Sequence, residues 1–328
     1  MIVDKKILIT GATGFVGTAL TKKIVAGSGK IIALTRTQET NLPAQVQVSV
    51  LHPDGLLASN IPFEGVQAVI HCAARVHVMN ELSSDPLAEF RSVNVKFTLD
   101  LARLAAASGV KRFVFISSVK VNGEGTAHGK PYRADDIPAP LDPYGISKME
   151  AEQGLRRIAE ETGIEIVIIR PVLIYGPGVK ANFRAMMTWL SKGIPLPLGA
   201  IRNKRSLVSI DNLVDLVLTC LKHPAAANQT FMVSDGEDVS TTELLRRMGV
   251  ALRKPARLIP VPGAVLGMAA SVLGRKDLAQ RLNGSLQVDI SKTCDLLGWR
   301  PVMSLDEGLS RTADAFKAKS DHLDAARH

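Results

Sequence analysis

The chain has 328 residues, 46% of them hydrophobic and 22% charged, which excludes a disordered or fibrous protein and leaves room for one large α/β domain carrying a smaller lobe. Its formal net charge of +9 favours acidic partners: nucleic acid, anionic lipid or a phosphorylated small molecule. The basic residues fall as scattered pairs (Lys22-Lys23, Arg156-Arg157, Arg246-Arg247, Arg275-Lys276) and one loose group, Arg202, Lys204 and Arg205, with no aromatic platform between them, so nucleic acid is not supported.

Short β-branched apolar runs alternate with helical patterns through the first half. Strands are predicted at Lys6–Thr10, Ile31–Thr35, Val46–Val50, Ala68–His71, Arg112–Ile116 and Glu165–Ile169, and helices at Gly14–Ala26, Pro86–Ser108 and Pro143–Thr162. That order is the signature of βαβ units, hence of a Rossmann-type doubly wound parallel sheet over residues 1–175. After Arg170-Pro171 the regularity breaks into Gly- and Pro-rich loops, read as a smaller C-terminal substrate-binding lobe over 176–317. Helices are expected there at Asn182–Ser191, at Asp211–Lys222 with Asp211 as cap, and at Thr241–Leu252 with Ser240 as cap. A strand at Thr230–Val233, within a segment of about 205–235, is expected to return to the main sheet. Leu258–Leu273 is too short and too interrupted by Pro260 and Pro262 to span a bilayer; it is expected to be a buried helix, with peripheral membrane or oligomer contact as the other reading. Residues 318–328 read as a frayed, flexible tail.

Cys72, Cys220 and Cys294 are widely spaced and odd in number, which argues against a disulfide framework or a zinc knuckle and for a reducing cytoplasm. Met1 leads directly into the first strand-like run, so no secretory signal is expected.

Gly11, Gly14 and Gly17 punctuate the passage from the first strand into the first helix. Such a turn lets a pyrophosphate approach bare backbone at a helix N-terminus, with Thr13, Phe15 and Val16 beside it. The spacing is G-x-x-G-x-x-G rather than the ordinary G-x-G-x-x-G. Where the ordinary fingerprint is followed by an acidic residue that holds the ribose hydroxyls, Arg36 ends the second strand, which suits the 2′-phosphate of NADPH better than NADH. Tyr144 and Lys148 are spaced i, i+4 at the start of a helix opened by Pro143, so phenol and ammonium share one face. Ser117-Ser118 ends the Arg112–Ile116 strand, at the edge where sheet ligands gather.

Together these parts resemble an extended short-chain dehydrogenase/reductase of the nucleotide-sugar epimerase/dehydratase family. The matching stretches continue through His71-Cys-Ala-Ala74, Asn94, Arg170-Pro171, Tyr175-Gly-Pro177, Arg205-x-x-x-x-x-Asp211 and Leu297-Gly-Trp-Arg-Pro301. The resemblance implies Tyr144 as acid/base, Lys148 as its pKa modifier and ribose ligand, and Ser118 rather than Ser117 as the catalytic hydroxyl. It further implies Ala73, Asn94 and Pro171 at the cofactor, and Arg205, with Asn182 and Arg281 as weaker matches, at the diphosphate of a UDP-sugar. His71 and Cys72 have no second ligand set at usable spacing, so no metal is expected. A homodimer through the Pro86–Ser108 and Pro143–Thr162 helices is a family expectation.

The step in such a site is hydride transfer at a sugar carbon. The loop Val119-Lys-Val-Asn122-Gly123 lacks the tyrosine many sugar epimerases carry before that glycine, and His71 to Asn80 with Gly178-Val-Lys-Ala-Asn182 is similar to bacterial O-antigen reductases. The sequence reading is therefore NAD(P)H-dependent reduction of the C4 keto group of UDP-4-keto-6-deoxy-N-acetylglucosamine to UDP-N-acetylquinovosamine, in O-antigen and lipopolysaccharide synthesis. A UDP-sugar 4-epimerase with tightly held NAD is the alternative. A non-catalytic cofactor-sensing module is the remote one, and it predicts loss of a Tyr/Lys pair that is present here.

Overall fold

The computed structural model describes residues 6–38, 40–51, 61–76, 85–127, 129–272 and 284–325. Strands β1 (Lys6–Thr10), β2 (Lys30–Thr35), β3 (Gln47–Val50), β4 (Val66–His71), β5 (Arg112–Ile116), β6 (Glu165–Pro171) and β9 (Thr230–Val233) form one parallel sheet in the order β3-β2-β1-β4-β5-β6-β9. The order reverses between β1 and β4, which places the crevice of a doubly wound fold at their carboxyl ends. Both faces of the sheet are covered, which is why its strands read as near-continuous apolar runs. Ile7 and Ile9 turn to one side, against α1 (Phe15–Ala26) and α6 (Ile210–Cys220) through Ile24 and Leu213. Leu8 turns to the other, among Leu101 and Leu155. Each such buried Leu or Ile side chain contributes about 1.5–3 kcal/mol of transfer free energy.

Two helices carry most of the site. Helix α4 (Pro143–Thr162) starts where Asp142 accepts the Gly145 N–H at 2.7 Å and ends at Gly163, whose φ of +74° suits glycine. The helix expected at Pro86–Ser108 is α2 (Pro86–Arg91), one π turn at Ser92–Lys96, and α3 (Phe97–Ala107). The widened turn buries Asn94.

The lobe contains α5 (Ala181–Ser191), α7 (Thr241–Ala251) and a second sheet of β7 (Leu173–Tyr175), β8 (Arg205–Ser209) and β10 (Asp238–Val239) in the order β10-β8-β7. Of the segment expected to return to the main sheet, β9 does so and β8 does not: it pairs with β7 and β10 instead. The partners of β8, β7 and β10, are three and two residues long and carry too little periodicity to be read in advance. The cap of α6 is Ser209, whose Oγ accepts the Asn212 N–H, while Asp211 lies in the first turn and pairs with Arg311 at 3.0 Å. The C-terminal helix Leu305–Ala325 runs well past the point where the chain was expected to fray. Helix α8 (Gly263–Val272) is not buried as expected: Val265 is 46% and Met268 64% exposed.

Candidate active site

The glycine turn fits a dinucleotide. Gly11 has a φ of +66°, and a Cβ there would stand 2.7 Å from the Ala73 backbone nitrogen; a Cβ at Gly17 would collide with the Gly11 carbonyl oxygen. Only glycine lets strand, turn and helix close this tightly. Gly14 is the N-cap of α1 and contributes no side chain to it, which leaves the first-turn N–H groups around Phe15 and Val16, with exposed Thr13 beside them, available to an anion. Arg36 follows β2 directly and is exposed. Ala73, Asn94 and Pro171 lie around the same rim, at or beyond the carboxyl ends of β4 and β6.

A directed chain of hydrogen bonds sets this rim. The Ala73 N–H donates to Thr10 Oγ1 at 3.2 Å, and Thr98 Oγ1 donates to the Asn94 carbonyl at 2.8 Å. Between the two hydroxyls lies His71, with Nδ1 2.6 Å from Thr10 Oγ1 and Nε2 2.8 Å from Thr98 Oγ1. The network assigns the proton to Nε2, which donates to Thr98, and leaves Nδ1 to accept from Thr10. Burial, reinforced by the Lys148 charge, lowers the His71 pKa to about 3, so the ring stays neutral. Asn94 extends the chain, accepting the Arg75 N–H at 2.8 Å and donating to the Arg75 carbonyl and to Ser147 Oγ on α4. The loop after β4 is thereby tied to the helix that bears Tyr144.

Tyr144 and Lys148 do share one face of α4, and Ser118 meets them from the end of β5. Ser118 Oγ accepts the Lys120 N–H at 3.2 Å and shares a hydrogen bond with the Tyr144 hydroxyl. Burial pushes the Tyr144 pKa up to about 12 against the lowering effect of that hydrogen bond, with Asp142 adding a smaller rise. Lys148 is fully buried; desolvation lowers its pKa to about 8, opposed by Cys72 and Glu152. Its Nζ donates to the Ile116 carbonyl at 2.9 Å and stands 4.4 Å from the Phe115 ring centroid. At neutral pH the lysine is mostly a cation and the tyrosine a neutral acid, the pairing needed to give a proton or, with further positive charge, to take one.

Beneath this pair is a group that sequence reasoning missed. Glu152, one turn beyond Lys148 on the same face, is 2% exposed; it accepts Ser117 Oγ at 2.6 Å and the Arg170 guanidinium at 2.6 and 2.9 Å. Arg170 also donates to Asn122 Oδ1 at 3.0 Å and to the Ala134 carbonyl. The ends of β5 and β6, the loop after Ser118 and α4 are thus held by one buried ion pair whose remaining valences are satisfied. The 144, 148, 152 spacing was the available signal.

The substrate ligands are less gathered. Arg205 opens β8, is half-buried and donates to the Gly284 carbonyl at 3.2 Å. Asn182 is exposed in the first turn of α5, and Arg281 lies outside the described residues. Cys72 keeps its proton, its pKa pushed up to about 12 by burial. Among the described residues no three His, Cys, Asp or Glu side chains group as a metal site.

Known proteins place the chain in a family. A UDP-glucose 4-epimerase of Vibrio cholerae is 50% identical over 313 residues, 95% of each chain. A dTDP-4-dehydro-6-deoxyglucose reductase of Escherichia coli is 25% identical over 95% of this chain and 98% of its own. The crystal structure of a Thermotoga maritima UDP-glucose 4-epimerase with UDP-glucose superposes with a TM-score of 0.76 at 23% identity, covering 96% of this chain and 99% of that one, a likeness of fold. Residues 7–234 match the model of the NAD dependent epimerase/dehydratase family, and the chain belongs to that family, as an extended short-chain dehydrogenase/reductase.

Proposed function

We propose that this protein is a UDP-sugar 4-epimerase that keeps its NAD through the cycle. The observation that carries the reading is the 50% identity, over nearly the full length of both chains, to the Vibrio cholerae UDP-glucose 4-epimerase. It favours the epimerase over the C4 reductase read from the sequence, which rested on the loop after Ser118, on Arg36, and on the likeness of His71 to Asn80 and Gly178 to Asn182 to O-antigen reductases.

Bound NAD would supply a hydride acceptor and a positive charge beside the phenol. The residues of the chain do the rest. The glycine turn would hold the pyrophosphate and Lys148 the ribose, Arg205 and Asn182 would bind the substrate diphosphate, and Ser118 would fix the C4 oxygen. Tyr144 takes the C4 hydroxyl proton and later returns it. From a pKa of about 12, bringing the phenol to neutrality requires about 7 kcal/mol of preferential stabilisation of the phenolate, more than the ~4 kcal/mol an unburied tyrosine requires. The Lys148 ammonium and the cofactor's charge are the two sources. Because the hydride returns, the cofactor need not leave, and a cytoplasmic enzyme of this kind consumes no external reductant.

Arg36 at the end of β2 supports a second reading, the NADPH-dependent reductase of a 4-keto-6-deoxy UDP-sugar. The two differ in bookkeeping. Nucleotide released by denaturing the purified protein should be near-stoichiometric NAD, and NADPH mixed with the 4-keto sugar should remain unoxidised. Stoichiometric oxidation of NADPH, with no retained nucleotide, would restore the reductase. Pairing of two protomers through α3 and α4 belongs to the same proposal and predicts a dimer in sedimentation.

A further inference from the structure

The lobe carries an apolar face that the active site does not use. Residues 194–200 and 256–262 run side by side, joined by parallel bridges at Leu196/Leu258 and Ala200/Pro262 and by hydrogen bonds from Leu196 N–H to the Arg257 carbonyl and from Ile259 N–H to the Leu196 carbonyl. Leu196 and Leu198 point into the lobe core, so strand alternation turns Pro195 and Pro197 outward, and on the partner segment Arg257 and Ile259. This ribbon leads through Pro262 into α8, which presses Leu266 on the core and leaves Val265 and Met268, spaced i, i+3, on its open side. At the end of α5 the chain adds Trp189 and Ile194, 43% and 40% exposed, joined by a hydrogen bond from the Ile194 N–H to the Trp189 carbonyl.

Along the two chain segments that build this face the charge has one sign. No Asp or Glu occurs between Glu165 and Asp211, nor between Glu243 and Asp277. Lys192, Arg253, Lys254 and Arg257 are all exposed, and none makes an ion pair with a carboxylate among the described residues. A two-fold contact with a second copy would set these cations against their own images with no carboxylate on either segment to neutralise them. An anionic bilayer answers both features: apolar tips enter between headgroups while Lys and Arg meet phosphates. Among the described residues no helix is long and apolar enough to cross a membrane, so the contact is peripheral.

We propose that this face seats the lobe on an anionic membrane surface, with Trp189, Ile259 and Met268 entering the interface and Lys192, Arg253, Lys254 and Arg257 on the lipid phosphates. The proposal is independent of which sugar the enzyme handles.

The test is flotation of the full-length protein with vesicles of phosphatidylcholine alone and of equal parts phosphatidylcholine and phosphatidylglycerol. The protein should float with the anionic vesicles only, and less so as salt is raised. Trp299 is buried, so a blue shift of tryptophan emission on binding should come from Trp189 and vanish in W189F. The triple variant R253E/K254E/R257E should bind on the order of 100-fold more weakly. M268D should also weaken binding, both variants keeping the parent circular dichroism and turnover on a soluble UDP-sugar. Three results would overturn the proposal: no binding to anionic vesicles, binding unchanged in both variants, or a concentration-dependent oligomer that M268D dissociates in the absence of vesicle binding.

Discussion

The buried ion pair under the active site and the exposed ion pairs of the lobe use the same side chains to opposite effect. Glu152 and Arg170 sit at 3% and 2% side-chain exposure beneath Ser118, Tyr144 and Lys148, whereas Arg247 bridges Glu237 and Glu243 with side-chain exposures of 25%, 45% and 40%. Distances are alike, 2.6 Å for both Glu152–Arg170 and Arg247–Glu237. What differs is the cost of breaking the pair: in water the orphaned charge is rehydrated, and under the sheet it is not. The buried pair therefore fixes geometry, and the exposed one decorates a surface.

Removing one partner of each is the sharpest comparison. Glu152→Ala strands Arg170 and should cost about 3–5 kcal/mol in urea denaturation. Glu152→Gln keeps the Ser117 contact and should cost less while still lowering turnover. A loss under 1 kcal/mol for the alanine variant would mean that water reaches the pair. Above it, Tyr144→Phe should lower turnover by about 100- to 10,000-fold with a stability change of about 1 kcal/mol or less, since the one hydrogen bond lost, to Ser118, is offset by the relief of a buried hydroxyl; retained turnover would assign the proton to another group.

A pH series separates the neutral part of the same scaffold. Unfolded His71 takes a proton below the ordinary imidazole value of 6.5 and folded His71 only near 3. The unfolded state thus binds more protons in that window, and stability falls as pH drops from 6.5 towards 3, by up to about 1.4 kcal/mol per unit. In His71→Gln that contribution disappears, so parent and variant denaturation midpoints should converge as pH falls from 7 to 5; parallel profiles would refute the assignment. The smallest effect is expected at the surface. Arg247→Ala should change stability by about 0–1 kcal/mol, and a larger loss would erase the contrast between the two regions.

The parallel sheet was legible because both its faces are buried, which writes each strand as an unbroken apolar run, and Pro143 marked the start of α4. Ser118, Tyr144 and Lys148 were legible because chemistry fixes their types and one helix turn their spacing. Glu152 was hidden by its charge, since nothing in composition distinguishes a buried glutamate from a solvated one until its guanidinium partner is seen 18 residues away on β6. The second sheet was invisible for want of length, with β10 only two residues long. Helix α8 shows the opposite failure: an apolar run signals burial, and here Met268 faces out. The choice between using the hydride once or twice was not legible at all, because both reactions need the same tyrosine, lysine and serine.

The most direct test of the account is proton NMR of the purified protein with UDP-glucose and no added nucleotide. Conversion to an equilibrium mixture with its C4 epimer, abolished in Tyr144→Phe, is the predicted result. Absence of conversion by protein that retains NAD, for both UDP-glucose and UDP-N-acetylglucosamine, would contradict it.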